Sequence, residues 1–232
     1  MESAYEIFAG EIAAKGTAYL VLQHCRAGEL EELLSRGRAE LLGLGASELY
    51  VTSRDPAAPL SEGVWEDFRL EFARDMLWME RELADTPPAV GITLEPLTRE
   101  RGGAWMTLHN ACFFDAPNSS TYGPNDLERA MAEGHRCGFA VVDGVLAGVY
   151  ELDLTGELPE IEGIALHKDV RGKGLGRGLL HAVMGELAGL EFRRCRLLVA
   201  TDNQTAFSLY RSAGFKAAGI RSRWYRMLPM FG

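Results

Sequence analysis

Between Val170 and Leu180 the chain reads VRGKGLGRGLL, with glycine at 172, 174, 176 and 178 and positive charge at Arg171, Lys173 and Arg177. A strand-like apolar run precedes it and an amphipathic, helix-like run follows. A helix entrance carries unpaired backbone N–H groups and the positive end of the helix dipole. Glycines there remove the Cβ atoms that would keep a phosphate away from those groups. A phosphate cradle is one reading; a plain turn with solvated basic side chains and a basic docking patch are the others. Two familiar templates fail. The dinucleotide fingerprint needs glycine at its sixth place, where Arg177 or Leu179 stands, and the Walker pattern needs a Lys-Ser or Lys-Thr that does not follow.

Groups able to move protons lie on both sides of this stretch. Glu160, Glu162, Ile164 and Leu166 recur with period two, which predicts one face of a strand. Two carboxylates beside an apolar segment are candidates for acid–base work, because burial lifts a carboxyl pKa toward a useful range. Solvated residues at a strand start are the plainer reading. Tyr210 follows Asn203 by two helical turns, so both share a helix face with Ala206. Cys25, Cys112, Cys137 and Cys195 are scattered, with no C-x-x-C pair and no histidine at ligand spacing; buried thiols and no metal are expected.

The elements that must position these groups read as mixed α/β. GITLEPL is a short strand, and Trp105, Leu108, His109 and Cys112 fall on one helical face. Phe113 to Asp126 has loop chemistry. Asp143-Gly144 between two apolar runs signals a hairpin. PEIEGIAL, Pro159 to Leu166, is the next strand; the glycine stretch and a helix through about Ala188 follow, then the strand CRLLVA. Asn203 caps a helix that stops before Gly214. FKAAGI and RWYRML are expected as two paired strands. Ala84 to Gly91 holds two consecutive prolines and is expected to be a linker.

Composition narrows the function. Hydrophobic residues make up 47 % and charged residues 25 % of the 232, the balance of a soluble globular protein. A formal net charge of −9 argues against a general nucleic-acid or lipid binder, so neither nucleic acid nor membrane is expected as a partner. The first ten residues lack the basic region of a signal peptide, and no apolar run approaches a membrane span, which predicts a cytoplasmic protein.

The glycine stretch resembles the acetyl-CoA pyrophosphate loop of the GCN5-related N-acetyltransferase (GNAT) superfamily, [QR]-x-x-G-x-[GA], at Arg171 to Gly176. ATDNQTAFSLYRSAGF resembles the family's N-x-x-A-x-x-L-Y-x-x-x-G-F signature, through Asn203, Ala206, Leu209, Tyr210, Gly214 and Phe215. The resemblance covers about Ala89 to Leu228. It implies a central, mostly antiparallel splayed sheet flanked by helices, with acetyl-CoA as acyl donor. The pantetheine arm would bond the backbone at Ile164, Ala165 and Leu166. The pyrophosphate would sit on Arg171, Gly172, Lys173, Gly174, Leu175, Gly176 and Arg177, with Asn203 nearby. Tyr210 would protonate the leaving thiolate. Glu160, and after it Glu162, would take the proton of the attacking amine, with a water relay as the other route. Leu198 stands where some ribosomal-protein acetyltransferases carry a catalytic glutamate, which counts against such a substrate. The acceptor, a small-molecule or peptide amine, would enter beside Phe113, Phe114, Asn118 and Tyr122. The resemblance predicts N-acetyl transfer to a primary amine by direct attack. A catalytically silent CoA-binding sensor or assembly module is the alternative, and acyl length stays open, as does a homodimer.

The N-terminal third lies outside the resemblance. Glu40 to Asp55, ELLGLGASELYVTSRD, is similar to Glu186 to Asn203, ELAGLEFRRCRLLVATDN, and RDMLWMEREL to RSRWYRMLPM. This predicts a degenerate acetyltransferase-like lobe over residues 1–86, a linker at 87–90 and the catalytic domain over 91–232. The earlier copy has one glycine where the loop should be, and Glu29, Glu31 and Glu32 would repel a pyrophosphate. It is expected to shape the acceptor cleft and bind no CoA.

Overall fold

The computed structural model describes residues 2–230, which form two compact units. The first holds residues up to Met76 and those from Ile220; the second runs from Leu77 to Gly219.

In the first unit, alternating apolar runs form β1 (Ala4–Phe8), β2 (Thr17–His24) and β3 (Glu48–Ser53), with the short helix α1 (Ile12–Lys15) between the first two. β2 and β3 pair in parallel from Thr17↔Glu48 to Leu22↔Ser53, so a crossover must join them. The crossover is α2 (Leu30–Gly43), whose Leu33, Leu34 and Leu41 bury against Leu20, Leu22, Leu49 and Val51. A short β4 (Gly63–Val64) pairs with the start of β5 (Phe68–Glu82).

The second unit is built around a sheet ordered β10-β9-β8-β7-β6. Its elements are β6 (Thr93–Pro96), α3 (Gly102–Phe113), α4 (Pro124–Ala130), β7 (His135–Val142), β8 (Val145–Asp153), β9 (Glu160–Leu166), α5 (Leu175–Gly189), β10 (Arg194–Ala200) and α6 (Gln204–Ser212). A last strand, β11 (Lys216–Pro229), runs out of it. The hairpin stands where Asp143-Gly144 predicts it, both residues having positive φ, 50° and 77°. α5 buries Leu179, Leu180, Val183, Met184 and Leu187 in one core with Ile161 and Leu166. α3 buries Trp105 and Cys112 with Phe139 and Val149 in a second. Helices thus flank this sheet on both faces.

Three expectations are corrected. FKAAGI and RWYRML are not a hairpin but halves of β11, a single 14-residue strand; neither Arg221 nor Ser222 between them takes the positive φ of a tight hairpin turn, and the chain runs straight on. α4 begins at Pro124, a favoured first helical position, so the loop after α3 is shorter than expected. The proline stretch is irregular at 87–90 but does not divide the units; it belongs to the second, whose boundary falls inside β5. Its backbone lies on α5: a Cβ on Gly178 would come 2.4 Å from Val90 O. Prolines interrupt hydrogen-bonded structure without preventing such packing.

That contact generates a contrast within one helix. Gly178→Ala should cost about 1–3 kcal/mol by urea unfolding, since a backbone carbonyl blocks the methyl group. Gly185→Ala, with nothing within 4 Å of its Cβ position, should gain about 0.5–1 kcal/mol. Equal effects would contradict the close approach.

Candidate functional site

The site begins where two strands part. β8 pairs along the whole of β9, from Asp153↔Glu160 to Gly148↔Leu166, whereas β10 pairs with β9 only at Glu160 and Ile161. Beyond Ile161 the β10-facing edge of β9 is open. The His167 N–H bonds Ala147 O at 2.8 Å, which fixes the phase. Alternation then directs Ala165's backbone to β8 and that of Ile164 and Leu166 to the open edge. Of the three residues expected to bond the pantetheine arm, Ile164 and Leu166 turn their backbone to the open edge and Ala165 turns its own to β8.

The glycine stretch closes the end of this edge. Gly172 and Gly174 have φ of 78° and 76°, and a Cβ at either would meet nothing within 4 Å. Gly174 is the N-cap of α5 and offers no side-chain cap to the first N–H groups. The basic residues divide the work. Arg171 Nε donates to Leu166 O at 2.8 Å and Nη2 to Cys112 O at 2.6 Å, tying the loop to the ends of β9 and α3. Arg177 Nη2 donates to Ser212 Oγ at 3.0 Å, tying α5 to α6. Lys173 and Leu175 border the same turn, and Gly176 brings α5 close to α6, its Cβ position lying 3.6 Å from Leu209 Cδ2.

Asn203 Oδ1 accepts from Ala206 N at 3.2 Å, so the residue caps α6. Tyr210 is buried in the same core as Ile161, Ile164 and Leu166, and among the described residues its hydroxyl takes no hydrogen bond. Burial pushes its phenol up to about 12, so it holds its proton at neutral pH.

The two carboxylates do not share a face with Ile164 and Leu166. A bulge in the β8–β9 register, where Glu151↔Gly163 gives way to Leu152↔Ile161, inserts Glu162 as the extra residue and reverses the alternation. Glu160 lies in the paired segment, where Arg196 Nε and Nη2 reach its Oε2 at 3.2 and 3.1 Å; that guanidinium lies over the Trp78 ring. Glu162 stands at the bulge and pairs with Arg129 Nη1 at 3.2 Å. Burial raises both carboxyls above the usual range, with Arg196 and Arg129 pulling the other way.

Sequence reasoning did not single out Glu151, and took His109 only as part of a helix face. His109 on α3 and Glu151 on β8 are both buried, with Nε2 2.9 Å from Oε1. Tyr122 stacks on the His109 ring at 3.7 Å and donates its hydroxyl to Glu151 Oε2 at 3.1 Å. Phe113 lies 4.6 Å from the same imidazole. Gly163 makes room, since a Cβ there would lie 2.8 Å from Glu151 Oε1. The signal was a glutamate inside the apolar run GVYEL, opposite a histidine on a buried face. Of the expected acceptor residues, Phe113 and Tyr122 meet on His109. Phe114 is exposed instead, and Asn118, with φ of 56°, keeps a buried Oδ1 without a partner among the described residues.

Residues 103–215 match the model of the acetyltransferase (GNAT) family. The chain is 26 % identical over 215 residues to a mycothiol acetyltransferase of Clavibacter sepedonicus, covering 88 % of this chain and 69 % of that one. The match to the protein of that name from Clavibacter michiganensis subsp. michiganensis spans only 55 % of its length. An N-alpha-acetyltransferase RimI of Mycobacterium tuberculosis is 32 % identical over 152 residues, 62 % of this chain and 89 % of that protein. A solved tandem GNAT protein from the clavulanic acid biosynthesis pathway superposes with a TM-score of 0.56 at 19 % identity, over 92 % of this chain and 75 % of that one, a likeness of fold.

The buried pair yields a stability test. Glu151→Ala strips His109 and Tyr122 of their acceptor inside the core and should cost about 3–5 kcal/mol in chemical unfolding. A loss below about 1 kcal/mol would mean that the pair does not hold α3 to β8.

Proposed function

The chain belongs to the acetyltransferase (GNAT) family of N-acetyltransferases, and from that premise we propose that it moves an acetyl group from acetyl-CoA directly to a primary amine. The open edge of β9 ending on the glycine turn carries this reading. Ile164 and Leu166 present backbone groups that an amide-bearing pantetheine arm can bond as a strand would. The turn from Gly172 to Arg177 presents N–H groups, with no Cβ at Gly172, Gly174 or Gly176, to a pyrophosphate. Lys173 adds charge, and Arg171 and Arg177 hold the turn in shape.

The reaction must move the protons of both the amine and the thiol. The amine nitrogen attacks the thioester carbonyl, the carbon–sulfur bond breaks, Tyr210 gives its proton to the departing thiolate, and the second proton shed by the nitrogen as the amide forms restores the phenol. Its hydroxyl, unpartnered among the described residues, suits it as a donor. For the proton lost by the ammonium we place Glu162 ahead of Glu160. Burial raises both carboxyls and an arginine pairs with each, but Glu160 lies in the paired part of the sheet, while Glu162 stands at the bulge where the strands begin to part. Phe113 and the loop from Phe114 through Asn118 border the acceptor's approach; a small-molecule amine and a peptide N-terminus both fit this chemistry, as the names of the relatives do.

The first unit we read as a degenerate acetyltransferase-like lobe. It repeats the order strand, helix, parallel strand in β2-α2-β3, as the second does in β9-α5-β10. At the entrance of α2, however, stand Glu29, Glu31 and Glu32, and the Asp55 carboxylate already takes the N–H groups of Cys25 and Ala57. A pyrophosphate has no place there.

Release of CoA thiol over a panel of primary amines, a peptide N-terminus included, tests the reaction; acetyl-CoA binding without turnover would favour a silent sensor module. Gly174→Glu should weaken CoA binding by about tenfold or more in calorimetry with the fold retained; unchanged affinity would remove the cradle. Tyr210→Phe should lower kcat by roughly 100-fold while CoA binding persists. An unchanged single-turnover rate would take Tyr210 out of the mechanism.

A further inference from the structure

Tyr122, in the loop between α3 and α4, is held through its ring, its backbone and its hydroxyl. Its ring stacks on His109. Its backbone is gripped by the Asn110 side chain, whose Oδ1 accepts from Tyr122 N at 2.8 Å and whose Nδ2 donates to Tyr122 O at 3.0 Å. Its hydroxyl donates to buried Glu151 and accepts from Arg129 Nη2 at 2.8 Å. Arg129 spends its other terminal nitrogen on Glu162 Oε1 at 3.2 Å. A residue with ring, backbone and hydroxyl all committed to the protein has little left with which to follow a substrate.

We propose that Tyr122 is a positioning residue and not a pocket wall. With Arg129 it bridges the buried His109–Glu151 pair to the carboxylate of Glu162, holding that carboxylate at the β9 bulge for the acceptor's ammonium. This rests on the reading of Glu162 as proton acceptor. The bridge has a fixed end and a working end. His109 and Glu151 are 4 % and 3 % exposed in their side chains, and each Glu151 oxygen already has a partner, so the anchor does not adapt. The Glu162 side chain is 26 % exposed and reachable from solvent. Without the Tyr122 hydroxyl, Arg129, which is 43 % exposed, would lose the contact that orients its fork toward Glu162. The charged groups facing Glu162 are Arg129 from α4, His135 from β7, Glu151 and Asp153 from β8, and Glu160 on its own strand. Of these, Tyr122 touches Arg129 and Glu151; Glu151 is also fixed by His109, so loss of the hydroxyl frees only Arg129.

Carbon-13 NMR of glutamate-labelled protein can follow the Glu162 carboxyl directly, assigned by its loss in Glu162→Gln. Arg129 holds the Glu162 midpoint down, so Tyr122→Phe, which keeps the ring and the Asn110 bonds, should raise it by about half a pH unit or more. Arg129→Met, at an exposed site, should raise it at least as far, and the double variant no further than Arg129→Met alone. An unmoved midpoint in Tyr122→Phe, or shifts that add in the double variant, would overturn the bridge. In amine-dependent thiol release, Tyr122→Phe should lower kcat with an unchanged KM for acetyl-CoA, and should do so in the wild type but not in Glu162→Gln. Equal losses in both backgrounds would also overturn it. If no amine supports release, the reading of the reaction fails while the titration still decides the bridge.

Discussion

Everything in the proposed site depends on β9 being paired fully on one side and hardly at all on the other. Two residues, Glu160 and Ile161, hold it to β10; beyond them the edge is open. A strand edge inside a domain is a cost unless something fills it, because buried N–H and C=O groups need partners. Arg171 fills one place by donating to Leu166 O, and the proposed pantetheine arm, with amides of its own, would fill the rest. The glycine turn gains its meaning from the same parting, since it ends the edge and leaves the first N–H groups of α5 uncapped.

The bulge beside the vertex is the second consequence. One extra residue in β9 reverses which side chains face which helix. Ile164 and Leu166 join the core under α5, Gly163 turns toward Glu151, and Glu162 is set at the mouth. Two carboxylates separated by one residue thus acquire different surroundings. Glu160 becomes part of a closed cluster with Arg196 and Trp78, and Glu162 the outer end of a hydrogen-bonded chain from the interior. No helix among the described residues is long and apolar enough to cross a membrane.

Local chemistry made much of this legible in the sequence. Asp143-Gly144 specified its hairpin, Asn203 its helix cap, and the spaced glycines an open turn at a helix entrance, because each depends on a few neighbouring residues. Features set by distant partners were harder to read. Period two put Glu160, Glu162, Ile164 and Leu166 on one face; the bulge that breaks the pattern comes from register with β8, which the spacing in β9 does not encode. The His109–Glu151 pair joins a helix to a strand 42 positions further on, and each residue alone resembles an ordinary member of an apolar pattern. The prolines at 87 and 88 marked a break in hydrogen bonding, but β5 passes between the units without any composition change.

The most direct measurement is hydrogen exchange at the backbone amides of Ile164 and Leu166, followed by NMR with and without CoA. Free protein should exchange both rapidly relative to the β8-paired amide of Ala165, and CoA should protect both while leaving Ala165 as it was. Slow exchange of Ile164 and Leu166 in the free protein, or protection unchanged by saturating CoA, would show that this edge is not where the cosubstrate lies.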